Sequence, residues 1–406
     1  MVIHLQSFGL SASPLSACSR LVLRSSNATL LFVDQPVGTG FSYSGNPLDY
    51  VRDEKAVANQ LYGFLQAFLV LHPELASRPF FVTGESYAGH YVPAISYKIV
   101  QENAAGSTPI NLQGMAIGNG LVEPLTQYGA YADYAADRQL IEESTRASIN
   151  AAYAKSCAPA IQACYDKTMA RLKAGRAVSE DNANVLDCAG AESTCDSQVT
   201  QAVLSAMTAK LGYRVNVYDY TKPCVGSLCY DFSDVDTYMA LPDVSAALGV
   251  TGHKWSECSN SVHSLLLGDW MQNLEKNIPD ILAAGVRVLV YVGVQDYICN
   301  VEGNKRWVDK MAWAGTDAYA AAPALPWVVG GVKAGTAREA KGLSFVEVFK
   351  AGHLVPMDVG ENALDVLNRF TSGVAFADSE GELARETLRS RVSATGEQVK
   401  YRRAGQ

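Results

Sequence analysis

The chain has 406 residues, 48% of them hydrophobic and 18% charged, with a formal net charge of −8 at pH 7. That supports a large buried core, and the scattered Lys and Arg argue against nucleic acid or an anionic membrane surface as partner. No stretch reaches the roughly eighteen apolar residues of a spanning helix, and no dinucleotide fingerprint or metal-ligand cluster is present, so no membrane span, metal or cofactor is expected.

Before Asn27 the chain contains one glycine, Gly9, and no Lys or Arg ahead of Arg20, which makes a poor signal peptide. Residues 28–34 read as a continuous apolar strand. Residues 53–71 have helical spacing, with Val57, Leu61, Phe64, Leu65 and Phe68 on one stripe. A strand at 79–83, a helix at 87–101 and a strand at 112–118 follow. Alternation of this kind implies crossover units and a mostly parallel sheet flanked by helices. From about 134 to 266 the text becomes helical, Ala-rich and Cys-bearing, an insertion between two parts of one sheet. The alternating pattern resumes with a helix at 274–284, a strand at 286–292, a helix at 305–311, a strand at 343–349 and a helix at 362–371. The expected organisation is therefore an α/β core in two parts, 1–133 and 267–375, a helical insertion at 134–266, and a loosely attached polar tail at 376–406.

Nine cysteines favour an oxidising compartment. Cys157 and Cys164 are seven residues apart, as are Cys188 and Cys195, so each pair can share one helix face. Two antiparallel helices would then bridge as a nested ladder, Cys157–Cys195 outside and Cys164–Cys188 inside; buried free thiols are the alternative. Cys224 and Cys229 suit a short staple around Gly226.

Three segments carry chemistry, each just past a predicted strand: Ser86 in Gly84-Glu85-Ser86-Tyr87-Ala88-Gly89, Asp296 in Val294-Gln295-Asp296-Tyr297, and His353 in Ala351-Gly352-His353-Leu354. Each residue alone has an ordinary structural explanation as a cap or as packing. Together, in the order Ser, Asp, His at strand ends, they read as the nucleophile, orienting acid and base of an α/β-hydrolase fold. The final glycine of the usual elbow is displaced by one, with Ala88 in its place.

The segments at 84–93, 33–43, 268–271, 296–300 and 352–358 resemble the serine carboxypeptidases, the group of carboxypeptidase Y and cathepsin A. The resemblance spans roughly 27–372 and implies removal of single residues from the free carboxyl termini of peptides and proteins. It implies work at acid pH in a lysosome, vacuole or secreted space. By that resemblance Ser86, Asp296 and His353 are catalytic and the Tyr87 backbone N–H is an oxyanion donor. Glu85 helps hold the substrate's terminal carboxylate, Cys299 is a free thiol beside the site, and Leu354 lines the pocket for the residue before the scissile bond. The insertion's cysteine spacing also resembles that group, whose members often form homodimers.

The resemblance breaks before Asn27, where the group carries a Gly-rich segment supplying a second oxyanion donor, part of the carboxylate clamp and a cysteine. Loss of one donor costs about 10²–10³ in rate. It would leave Cys258 unpaired unless Cys18 substitutes, and the amino-terminal strands of the sheet are expected to be missing. Residues 1–26 read as a start foreign to the group. Asn27-Ala28-Thr29 is a glycosylation sequon. Two alternatives share the same residues: an acyltransferase of this fold, or an inactive homologue acting as a binding or protective partner.

Overall fold

A computed structural model describes residues 1–6, 28–173, 182–226 and 229–376. Eight strands form one sheet: β1 Val2–Gln6, β2 Leu30–Asp34, β3 Phe80–Glu85, β4 Leu112–Gly118, β5 Arg287–Gly293, β6 Leu325–Val329, β7 Val332–Ala340 and β8 Leu343–Val348. Their order across the sheet is β2-β1-β3-β4-β5-β8-β7-β6. The first six positions pair in parallel, and β7 and β6 join antiparallel at the far edge. Parallel neighbours need crossover connections, which is why helices cover both faces and the inner strands read as apolar runs. All six residues of β3 are buried.

Two features depart from the sequence reading. A strand precedes residue 28: β1 sits between β2 and β3, with Val2 opposite Leu30 and Phe81. His4 and Gln6 break its apolar run, which β2 of the same length keeps, so this part of the amino-terminal sheet went unread. The β6–β7 hairpin was also unassigned. It turns at Gly330 and Gly331, both at positive φ; β6 carries Pro326, and β7 mixes alanine, glycine and charge rather than alternating cleanly.

Helix α1 (Glu54–Leu71) buries Val57, Ala58, Leu61, Leu65 and Leu69. Phe64, expected on that stripe, is 41% exposed and instead stacks on Phe68 at its margin. The helix Ala88–Ala104 buries nine consecutive residues from its start, Ala88 to Ser96. It lies between the sheet and α1, and it carries the end of β3 directly into the core. Gly89 permits this: a Cβ there would come within 2.3 Å of the Leu121 carbonyl oxygen.

Between the two halves of the sheet lie the helices of the insertion. Cys157–Cys195 and Cys164–Cys188 are bonded, with S–S distances of 2.01 and 2.04 Å; the second joins the helices Ala158–Lys173 and Asn182–Cys195, and the first ties the end of the latter to the turn Tyr153–Cys157 just before the former. Cys224–Cys229 closes a short loop at 2.03 Å, while Cys258 and Cys299 are free. No helix of the described residues is long and apolar enough to cross a membrane. The polar tail beyond 376, the sequon asparagine Asn27, Cys18 and the segment from 7 lie outside the described residues.

Candidate active site

Strand β3 ends at Glu85, and the chain reverses at once into the helix Ala88–Ala104. Ser86 makes the turn at φ 65°, in the left-handed region that a residue with a side chain rarely adopts. Its backbone is pinned on both sides: Ser86 N donates to Gly118 O at 3.1 Å, and Ser86 O accepts from Gly89 N and Leu121 N at 3.0 and 3.1 Å. Strain held this firmly is a mark of functional turns. The N–H of Tyr87, at the N-cap, belongs to the helix end whose amides have no intrahelical acceptor, so it is placed to meet a developing negative charge.

Two strands further along, β5 delivers Asp296, and beyond it β8 delivers His353. Their side chains meet: His353 Nδ1 donates to Asp296 Oδ2 at 2.7 Å, and both are fully buried. Asp296 also accepts from Asn119 Nδ2 at 2.8 Å, Ile298 N at 3.0 Å and Cys299 N at 3.3 Å. Four donors satisfy a carboxylate without water, so it can fix the imidazole with Nδ1 protonated and Nε2 open. Burial pulls the His353 pKa down, but the charge and hydrogen bond of Asp296, with the charges of Glu85 and Asp358, outweigh it and leave it raised. His353 Nε2 is buried and has no hydrogen-bond partner among the described residues, Ser86 Oγ included. An open acceptor that closes only with substrate in place is ordinary for an unliganded catalytic base.

A strained serine turn and a buried Asp–His pair thus stand at strand ends of one sheet, and comparison of the chain with known proteins narrows what they can do. Residues 25–373 match the family model described as serine carboxypeptidase. The chain belongs to the serine carboxypeptidase family. It is 42% identical over 347 residues to a serine carboxypeptidase-like protein of Oryza sativa subsp. japonica, covering 85% of this chain and 76% of that one. It is 43% identical to serine carboxypeptidase 3 of the same plant, covering 89% and 68%, and 41% identical to serine carboxypeptidase 3 of Hordeum vulgare, covering 85% and 64%. Among solved structures, a prohormone-processing carboxypeptidase from Saccharomyces cerevisiae has the same fold, with a TM-score of 0.67 at 23% identity over 87% of this chain and 75% of that one.

For a serine carboxypeptidase the surroundings of Ser86 matter next. A cavity of about 330 Å³ opens at the serine, walled by Tyr87, Tyr91, Tyr218, Cys258, His263 and Trp270, among others. The rings of Tyr91 and Trp270 each lie 5.1 Å from that of Tyr87. Thr39, also on its wall, is carried by the loop after β2, which Asp34 orders by accepting from Phe41 N at 2.8 Å. Glu85 is buried behind the serine and accepts from the Tyr291 hydroxyl at 3.2 Å. Cys299 is a buried thiol; burial, then the Asp296 charge, pushes its pKa well up and keeps it protonated. Leu354 is buried among Phe232, Val235, Met239 and Trp255, a cluster beside the cavity rather than on its wall.

Asp296, Cys299 and His353 are the one grouping of His, Cys, Asp and Glu among the described residues whose ligand atoms lie within 4.8 Å of one another. Its Asp–His pair is already joined by a hydrogen bond, and its thiol is held neutral. Sequence reading missed Asn119, which accepts from Gly293 N at 2.9 Å while donating to Asp296. It missed Tyr131 and Tyr134, whose hydroxyls donate to Ile298 O and Val294 O at 2.7 Å and bracket the Asp296 loop. It also missed Tyr218, whose carbonyl accepts from His353 N at 2.7 Å. Asn119 had a signal: it too stands at the end of a strand, between two glycines.

Proposed function

We propose that this chain removes single residues from the carboxyl termini of peptides, with Ser86 as nucleophile, His353 as general base and acid, and Asp296 as the group that holds the imidazole. Attack by Ser86 Oγ on the last peptide carbonyl passes its proton to His353 Nε2, and the same proton then goes to the leaving amine. Water repeats the sequence to release the shortened peptide. The Tyr87 amide donates to the oxyanion, and Glu85 helps receive the terminal carboxylate, which requires a proton on one of the two facing carboxyl groups. The aromatic wall of Tyr91 and Trp270 offers the departing residue an apolar surface.

The observation that carries this reading is the buried Asp296–His353 hydrogen bond beside an unsatisfied Nε2, in a chain whose strained serine turn belongs to the same family pattern. Three disulfides support an oxidising setting, a lysosome, vacuole or the cell exterior.

The test is product analysis with a blocked dipeptide or longer peptide. Release of free amino acids one at a time from the carboxyl end supports the reading. Acyl transfer to an added alcohol without hydrolysis would instead favour the acyltransferase reading, and no turnover by a folded chain would favour the inactive one.

A further inference from the structure

The Gly268-Asp269-Trp270-Met271 turn reaches the hydroxyl end of the Tyr87 side chain, next in sequence to the nucleophile, and contributes a carboxyl that the proposed chemistry does not use. Asp269 is 3% exposed. Its Oδ2 accepts from the Tyr87 hydroxyl at 3.1 Å, and its Oδ1 accepts from the backbone N–H of Glu54 at 3.1 Å. Glu54, at the first position of α1, is 4% exposed, and neither carboxyl oxygen has a hydrogen-bond partner among the described residues. Both acids line a cavity of about 380 Å³, with Asp53, Lys55, Lys98 and Lys276 also on its walls. A buried carboxyl with no donor stays protonated, whereas two donors make Asp269 the member of the pair able to carry charge.

We propose that Asp269 is a positioning residue for the oxyanion donor, holding the Tyr87 side chain in place, and that the site works best while Asp269 keeps its proton. An ionised Asp269 sets a buried negative charge at the far end of the Tyr87 side chain, on the same residue whose amide meets the oxyanion's developing charge, and like charges in a dry site oppose each other. This rests on the reading of Ser86 as nucleophile and Tyr87 as donor.

The groups facing Asp269 are Asp53 and Glu54 from α1, Tyr87, His90 and Tyr91 from the helix Ala88–Ala104, and Lys276 beyond the turn. Burial, then the charge of Asp53, pushes Asp269 up to about 7, against the hydrogen bonds from Glu54 and Tyr87 and the charge of Lys276. Glu54 is raised well above its ordinary range by burial, then by the charges of Asp269 and Asp53. Burial lowers His90 to about 4, so it is neutral at working pH, and Tyr87 and Tyr91 are pushed well up and stay protonated. Asp269 is therefore the member of the cluster that changes charge near neutrality.

The experiment follows hydrolysis of an N-acyl amino-acid ester, which lacks the free carboxylate that Glu85 would meet. It compares wild type with Asp269→Asn and Asp53→Asn from about pH 5.5 to 8.5. The ratio of wild-type to Asp269→Asn rates cancels the His353 ionisation. It should fall about tenfold across a midpoint near 7. Asp53→Asn keeps a good cap on α1 but removes the neighbouring charge, so its midpoint should move towards acid. In parallel, the infrared band of a protonated carboxyl should be lost over the same range in wild type and not in Asp269→Asn. A flat ratio, an unmoved midpoint in Asp53→Asn, or no infrared titration overturns the proposal alone. Failure of a fluorophosphonate to label Ser86 at any pH overturns the nucleophile reading and takes the proposal with it.

Discussion

His353 Nδ1 and Asp296 Oδ2 stand 2.7 Å apart with neither side chain exposed, and three further donors converge on the same carboxylate. The pair is thus built to hold one tautomer. Asp296→Asn would place an amide N–H or a weaker acceptor against Nδ1 and free the wrong tautomer. The expected result is a fall in kcat of about 10⁴-fold with KM nearly unchanged, read from ester hydrolysis under saturation.

Asn119 carries φ 41° and its side chain bridges the end of β4 to Gly293, at the end of β5, and to Asp296 with three hydrogen bonds. Asn119→Gly tolerates that backbone but loses all three bonds, so kcat should drop about 10- to 100-fold. Asn119→Ala should show the same kinetic loss and an additional destabilisation of about 1 kcal/mol from the left-handed backbone. Denaturant midpoints for the two variants separate the strain from the chemistry.

Glu85→Gln keeps the volume and an acceptor for Tyr291, and supplies an N–H to a substrate carboxylate at every pH. For a peptide substrate, the ratio of kcat/KM at about pH 7.5 to that at about pH 5 should rise several-fold over wild type. For an ester without a free carboxylate, the ratio should match wild type. Parallel pH profiles with the two substrates decide it.

Stability should fall as pH rises from about 5 to 8. Burial, then neighbouring carboxylates, raises Glu54 and pushes Asp269 and Glu257 up to about 7. A carboxyl whose folded pKa lies above its unfolded one binds its proton in the folded chain after the unfolded chain has lost it. Its contribution is full below the unfolded value and disappears through the folded one. His353, raised despite burial, acts in the same sense above its ordinary range. Burial lowers His90 to about 4, which opposes this only between about 4 and 6.5. Thermal melts should therefore give a higher Tm at pH 5 than at pH 8.

Cys164–Cys188 encloses a sequence separation of 24 in the insertion, and Gln272 Nε2 donates to both sulfurs, at 3.3 and 3.4 Å. Replacing both cysteines by alanine removes the loop constraint and two acceptors. The loss should be about 3 kcal/mol in the denaturant-derived stability, with esterase activity retained below the transition.

Much of the fold and of the candidate site was legible because catalytic side chains at strand ends follow apolar runs that sequence alone reveals. Ser86, Asp296 and His353 each sit three or four residues beyond such a run. What stayed hidden depended on contacts between distant segments. The register that brings β1 beside β3 is one case, and the hydroxyls of Tyr131 and Tyr134 reaching the Asp296 loop across 167 and 160 positions are another. Asp269 was visible as a motif residue, but its partnership with Glu54 and Tyr87 joins segments 215 and 182 positions away.

The most direct measurement is mass spectrometry of the chain after reaction with a fluorophosphonate, run beside Ser86→Ala and with circular dichroism to establish folding. A single adduct on the peptide containing Ser86, absent from the variant, is the expected outcome. A folded chain that takes no adduct, or takes it on another residue, would show that the serine at the end of β3 is not the nucleophile.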